Sequence, residues 1–380
     1  MGITLKITAI TVVLLFLTAS CLTVPLPVNA EPKTLVVPDD YPTITDAIGN
    51  ATAGDTVFVK KGLYEEKTLE ISKTLSLIGE DANTTTINLH PPYKETWILT
   101  QPFFSYSNAI TIDANDVRLS NLTIGIHPPG GYISATGDRI QITGNNITTG
   151  PTTGLSISGS YCNITENTSD GLIGLSGSSN VIARNCFSEV SVSGDSNAIT
   201  NNTCWTLDLS NVNYNIVSGN NIGTSTPRHV GINVGGNSSH NVFDGNIITV
   251  VTYVVRFYGG SAENNTFYHN NFLGQYDSNR NYMYMSNLAG TLNFWDNGRE
   301  GNYWDDYNGA DANGDGIGDT PYVIDADNID HYPLMAPYDI ENDTIVLPPP
   351  EPFPTILAAA VATAVVVGAG LLVYFKKRKH

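Results

Sequence analysis

The sequence predicts an all-β solenoid of short stacked coils, capped at both ends and followed by one C-terminal transmembrane helix. Three observations carry this. A unit of the form Asn-x-Ile/Val-x-x-Asn recurs through the middle of the chain. Gly, Asn, Ser and Thr crowd the same region while charged residues make up only 14% of the 380, a composition poor in long helix formers. Finally, Thr355 to Phe375 form 21 uncharged, mostly aliphatic residues just before a basic cluster.

Residues 1–30 read as a secretory signal. Lys6 precedes an uncharged run from Ile7 to Val24, and small residues end in Val28-Asn29-Ala30, so cleavage after Ala30 is expected. An uncleaved anchor and lipidation at Cys21 are the competing readings. Residues 31–106 are assigned to an N-terminal cap and the first coils, with a short capping helix over Thr43 to Ile48 and strand-sized alternating runs after it.

Residues 107–290 hold the repeats. Clear copies are Asn180 to Asn185, Asn197 to Asn202, Asn215 to Asn220, Asn241 to Asn246 and Asn265 to Asn270, with weaker ones ending at Asn121, Asn145 and Asn167. Successive second asparagines are 17 to 26 residues apart, which suits one solenoid coil and is too short for tetratricopeptide, HEAT or WD40 units. Within each copy the β-branched or aromatic residues face a narrow interior. Asn is expected at the corner, where it tolerates left-handed backbone. Stacking then sets Asn above Asn, a ladder of amides about 4.8 Å apart.

Residues 291–343 form the expected C-terminal cap, and 344–354 a stiff Pro-rich stalk. Residues 355–375 are long enough for a bilayer core of about 30 Å. The tail, 376–380, contains Lys376-Lys377-Arg378-Lys379, which places the C-terminus in the cytoplasm and the rest outside a cell membrane. Between Glu31 and Glu351 there are 13 basic and 36 acidic residues, a net charge of −23, which excludes a nucleic-acid partner. Cys162, Cys186 and Cys204 are an odd set that cannot all pair within one chain. Asn50, Asn83 and Asn342 head sequons and are the glycosylation candidates on an exported protein; sequons inside the repeat are a by-product of its Asn- and Thr-rich composition.

The segments Pro38 to Glu66 (PDDYPTITDAIGNATAGDTVFVKKGLYEE) and Trp295 to Asp325 (WDNGREGNYWDDYNGADANGDGIGDTPYVID), with His331 to Met335 (HYPLM), resemble the caps of right-handed parallel β-helix proteins of the pectin-lyase-like superfamily. Within it the chain is most similar to NosD-like and carbohydrate-binding, sugar-hydrolase repeat proteins of archaeal cell surfaces, over about Lys33 to Pro337. The resemblance implies a right-handed parallel β-helix and a role in glycan binding, adhesion or envelope architecture, with glycans or other envelope proteins as partners. An anchored polysaccharide lyase or glycoside hydrolase is the alternative, and the NosD likeness adds copper handling.

Asp311, Asn313, Asp315, Ile317 (by its carbonyl) and Asp319 alternate with glycines as in a calcium loop, but Tyr322 stands where an EF-hand has Glu. The alternative there is a plain Asp/Gly turn held by Asx hydrogen bonds. For catalysis the candidate acids are Asp138, Asp170, Asp195, Asp208 and Asp244 and the candidate bases Arg139 and Arg184; an enzyme requires two carboxylates and a cation to converge on one outer sheet. Copper requires a His and Met cluster, whereas the histidines are scattered and Met283 and Met285 are the only close pair. Tyr253, Phe257, Tyr258, Tyr276, Tyr282, Tyr284, Trp295 and Trp304 are candidates to stack on sugars, with Trp295 and Trp304 expected inside the cap.

Overall fold

The computed structural model describes residues 31–98, 101–150, 154–223, 230–250, 253–274 and 291–340. The signal segment, Tyr276, Tyr282, Met283, Tyr284, Met285, Asn342, the stalk, Thr355 to Phe375 and the basic tail lie outside these. Among the described residues no helix is long and apolar enough to cross a membrane. The described solenoid belongs to the compact unit Met1–Tyr338; of the unit Asp339–His380, only Asp339 and Ile340 are described.

The chain is a parallel β-helix. One face is an eleven-stranded parallel sheet running from Thr34–Val37 to Thr266–Tyr268, and another a nine-stranded parallel sheet from Leu69–Ile71 to Tyr253–Tyr258. The third face consists of two five-stranded sheets, joined through the single bridges Thr168 to Cys186 and Cys186 to Thr203. Strands of two to six residues alternate inward and outward, so each coil gives a few apolar side chains to a thin core. On the eleven-stranded face Ile142, Ile164, Ile182, Ile199 and Val217 stack in register, each fully buried. Burying such a side chain contributes roughly 1.5–3 kcal/mol. Toward the C-terminus aromatics take over this column, with Phe243 on Phe267 at 4.3 Å and Phe267 on Trp295 at 4.5 Å.

The N-terminal end is closed by α1, Ile44–Asn50, whose N-cap Thr43 accepts from the Asp46 amide. Ile44, Ala47 and Ile48 plug the first coil, and the buried Glu66 carboxylate accepts from Ile44 N and Thr45 Oγ1.

Each Asn-x-Ile/Val-x-x-Asn copy brackets one strand of the eleven-stranded sheet and contributes to two ladders. In one, Asn145, Asn167, Asn185, Asn202, Asn220, Asn246, Asn270 and Asn302 each donate Nδ2 to the next residue's side-chain oxygen, at 2.9–3.0 Å until the last step. The same oxygen takes the backbone N–H of the preceding Asn, and the second Nδ2 proton goes to a strand carbonyl such as Ile182 O. The other ladder passes through Asn180, Asn197, Asn215, Asn241, Asn265 and Asn293. Both end in one short segment: Asn293 N donates to Asn328 and Asn302 N to Asp330, and the indoles of Trp295 and Trp304 donate to the same two side chains. The buried Trp pair thus joins the ladders to the cap, as expected of residues inside it.

Two details differ from the sequence reading. The left-handed residue is not the ladder Asn but the one before it, as at Glu166, Ser179, Arg184, Ser196, Asn201, Tyr214, His240 and His269, with φ between 55° and 60°. The corner turns there so that the following Asn can point inward. Asn121 is one of these corner residues; the ladder position is Leu122, whose N–H donates to Asn145, so the ladder starts one coil later than the motif suggested.

Candidate functional site

The strands Thr206–Ser210, Val230–Gly235 and Tyr253–Tyr258 stand side by side at the C-terminal end of the nine-stranded face. Their register aligns Asp208 with Asn233 and Arg256, and Ser210 with Gly235 and Tyr258. Alternation turns these side chains outward, since Leu207, Leu209, Val234 and Phe257 fill the interior. The Tyr258 hydroxyl lies 3.0 Å from Asp208 Oδ1 and 2.8 Å from Ser210 Oγ. Arg256 Nε donates to Asn233 Oδ1 at 2.7 Å, and its guanidinium sits 5.3 Å from the Tyr258 ring centre.

Gly235 makes this possible. A Cβ there would lie 2.4 Å from Tyr258 Cζ and 2.7 Å from Ser210 Oγ, so the ring crosses the middle coil only because no side chain stands in its path. Gly235→Ala is expected to keep the fold but swing Tyr258 off Asp208; loss of the Tyr258 perturbation in an ultraviolet difference spectrum, with an unchanged melt, is the check. Half-burial raises the Asp208 carboxyl above its ordinary range, against the opposing Tyr258 bond and Arg256 charge. Burial likewise raises the Tyr258 phenol.

The two columns behind this group are small and hydroxylic until the first coils, where Glu70 and Asp113 stand. Running back along the same two columns are Ser191, Gly174, Ser156, Ser134 and Thr111, and beside them Ser193, Ser176, Ser158 and Thr136. At the rim, Trp205 precedes Thr206–Ser210 and is 46% exposed. Glu189 pairs with Thr206 on the adjacent coil, which sets its Cα about 8 Å from that of Asp208 by strand geometry.

Of the acids drawn from the sequence, only Asp208 joins this group. Asp138, Asp170 and Asp195 accept backbone N–H groups in turns, from Ser160, Thr149 and Asn213. Arg139 grips Asp116 with two nitrogens and Arg184 pairs with Glu166, both at left-handed corners away from the face. Asp244 instead faces His269, whose Nδ1 is 3.3 Å from Asp244 Oδ1 without hydrogen-bond geometry, while Nε2 meets Glu300 at 2.7 Å. Arg256, Asn233 and Ser210 were missed, although Arg256 carried a signal as a cation inside a strand, YVVRFY. Of the aromatic candidates, Phe257, Trp295 and Trp304 are buried in the core, which removes them as sugar platforms.

In the proposed calcium loop, Asp311 accepts from Gly314, Asp315 and Gly316 amides, Asp315 from Ile317 N and Asn313 Nδ2, and Asp319 from Ala312 N. Ile317 is bridged to Leu334. These bonds make an Asx-held turn, and among the described residues no three His, Cys, Asp or Glu side chains gather in one place. The same holds for copper: His90, His127, His240, His269 and His331 form no such group. Cys162, Cys186 and Cys204 are free, Cys204 being buried with its thiol pushed up to about 12. Asn50 and Asn83 are exposed, as glycosylation requires, whereas the sequon at Asn167 is sealed in the ladder.

No family model and no curated protein matches the chain. Among solved structures it is similar to a pectin methylesterase in complex with a hexasaccharide, at 17% identity and TM-score 0.29, covering 57% of this chain and 81% of that one. It is similar to the Dettilon tailspike protein at 16% identity and TM-score 0.38, over 63% of this chain and 62% of that one. It is also similar to the A-module of a mannuronan C-5 epimerase from Azotobacter vinelandii, at 13% identity and TM-score 0.33, over 64% and 91%. At these values the fold assignment rests on the strand register above.

Proposed function

We propose that the nine-stranded face binds glycan and that the protein is a membrane-anchored, cell-surface module of adhesion or envelope architecture. The observation that carries this is the meeting of Asp208, Asn233, Arg256 and Tyr258 at the end of a flat row of hydroxyls, with Trp205 at its rim. Such a surface offers directional donors and acceptors to sugar hydroxyls and aromatic faces to sugar rings. Anchoring rests on the 355–375 stretch and its basic flank.

A second reading, a surface polysaccharide hydrolase or lyase, is favoured by one observation. Glu189 and Asp208 project from the same face with Cα atoms about 8 Å apart, close enough for their carboxylates to flank one water as inverting hydrolysis requires, and the Asp208 carboxyl is raised toward the proton-holding form. Both readings are tested on the full-length chain with immobilised polysaccharides, reading retention together with new reducing or unsaturated ends. Retention without product supports the binding module, and product formation supports the enzyme. No retention and no product would end both. Tyr258→Phe, which loses one hydroxyl and its bonds to Asp208 and Ser210, is expected to weaken retention about 5-fold.

Calcium at Asp311 to Asp319 belongs to the proposal as a cap stabiliser. If it binds, calcium raises the melting temperature and chelator reverses the rise, in the wild type but not in Asp311→Ala; identical melts with and without calcium assign the loop to Asx bonds alone.

A further inference from the structure

We infer that the glycan taken by the nine-stranded face is uncharged, a neutral polysaccharide rather than a polyuronate. This rests on the glycan-binding reading above and names its ligand class.

The first reason is charge on the face itself. A polyuronate presents a carboxylate on every sugar and is held by repeated cations along its path. Along the column that runs from Glu70 through Asp208 to Arg256, Arg256 is the one cation among the described residues. It stands two coils from Asp208, with Nε already on Asn233. Among the described residues of the neighbouring coils, Arg139 and Arg184 are engaged by Asp116 and Glu166 at the corners. The second reason is the field. The segment from Glu31 to Glu351 carries −23, which disfavours approach of any polyanion at low salt. The third is the lining: Thr136, Ser158, Ser176 and Ser193 place uncharged hydroxyls at the coil pitch of about 4.8 Å, and beside them stand Ser134, Ser156 and, beyond Gly174, Ser191. Each hydroxyl donates and accepts, matching sugar hydroxyls that do the same.

The test is affinity electrophoresis of the full-length protein, in samples shown by a cooperative melt to be folded, through gels containing soluble β-glucan, mannan, polygalacturonate or polymannuronate, at about 0.05 M and about 1 M salt. The inference expects retardation by a neutral polymer, changed less than 2-fold by salt, and none by either polyuronate. Ser156→Lys with Ser158→Lys, which adds cations to the same coil, is expected to bring in salt-sensitive polyuronate binding. Retardation of wild type by a polyuronate in preference to the neutral polymers, with or without added calcium, overturns the inference while leaving glycan binding standing. Retardation by no polymer overturns the glycan reading, and this inference with it.

Discussion

Replacing Asn202 by Ala is expected to destabilise the solenoid by about 4 kcal/mol, at the upper end for single substitutions. Asn202 accepts from Asn185 N and Nδ2 and donates to Ile182 O and Asn220 Oδ1, all at 2.8–3.0 Å and all in the dry interior. Truncation strands donors and an acceptor that no water reaches, each worth about 1–3 kcal/mol. Leucine at this position should fail equally, because the orphaned groups belong to neighbouring coils. Asn145→Leu should cost less: the ladder already ends there against Leu122, whose N–H is the only amide it receives from the preceding coil. Chemical denaturation of the three variants gives the ranking, and equal costs at both positions would show that the ladder does not act as a connected row.

The solenoid is expected to be more stable near pH 5 than near pH 8. Asp330 ends one ladder with no solvent exposure, and burial pushes its carboxyl up to about 6, against the opposing bonds from Asn302, Trp304 and Tyr332. A carboxyl whose folded value lies above its ordinary 3.8 favours the fold in its protonated form. That stability is present below about pH 4 and is lost as pH rises through about 6, a change on the order of 3 kcal/mol. Asp208 is raised in the same direction. For His269, burial alone would lower the value, but Asp244 and Glu300 outweigh it and raise it; its contribution is also complete at acid pH and lost as pH rises through the folded value. That ring stacks on Tyr338 at 3.9 Å, while the Asn271 amide grips the Tyr338 backbone from both sides, so the last described turn loosens with it. Asp55 runs the other way. Burial would raise it, but amide bonds from Lys33 and Thr52 prevail and lower it, so its contribution is lost only as pH falls below the ordinary carboxylate range. The optimum therefore lies at about pH 4–6. About 1.4 kcal/mol of the Asp330 contribution remains to be lost above pH 5, so between pH 5 and 8 the melting temperature should fall by about 3–6 °C, and Asp330→Asn, which keeps an oxygen for Trp304 and Asn302, should flatten the decline. A higher melting temperature at pH 8 would show that these groups do not dominate.

The coil repeat and its ladders were readable because one motif marks both edges of one strand, and a 17 to 26 residue spacing leaves few other architectures. The register was harder to read. Asn121 looks like a ladder residue in sequence and is a left-handed corner in space, because the chain there has Leu122 where later coils have Asn. The site was less legible still. Asp208, Asn233 and Arg256 are separated by 25 and 23 residues, and only coil lengths that vary along the chain decide that they share a column. Asp138, Asp170 and Asp195 look alike in sequence, yet each serves a nearby amide, which is what short acidic side chains do in turns.

The measurement that tests the functional account most directly is hydroxyl-radical footprinting of the full-length protein with and without a retained polysaccharide. Tyr258 and Trp205 should lose reactivity when the glycan is bound, while Tyr161 and Tyr214, which are 65% and 63% exposed at corners of the solenoid, should not change. Protection of the corner tyrosines with Tyr258 and Trp205 left reactive would place the ligand on another face and contradict the assignment.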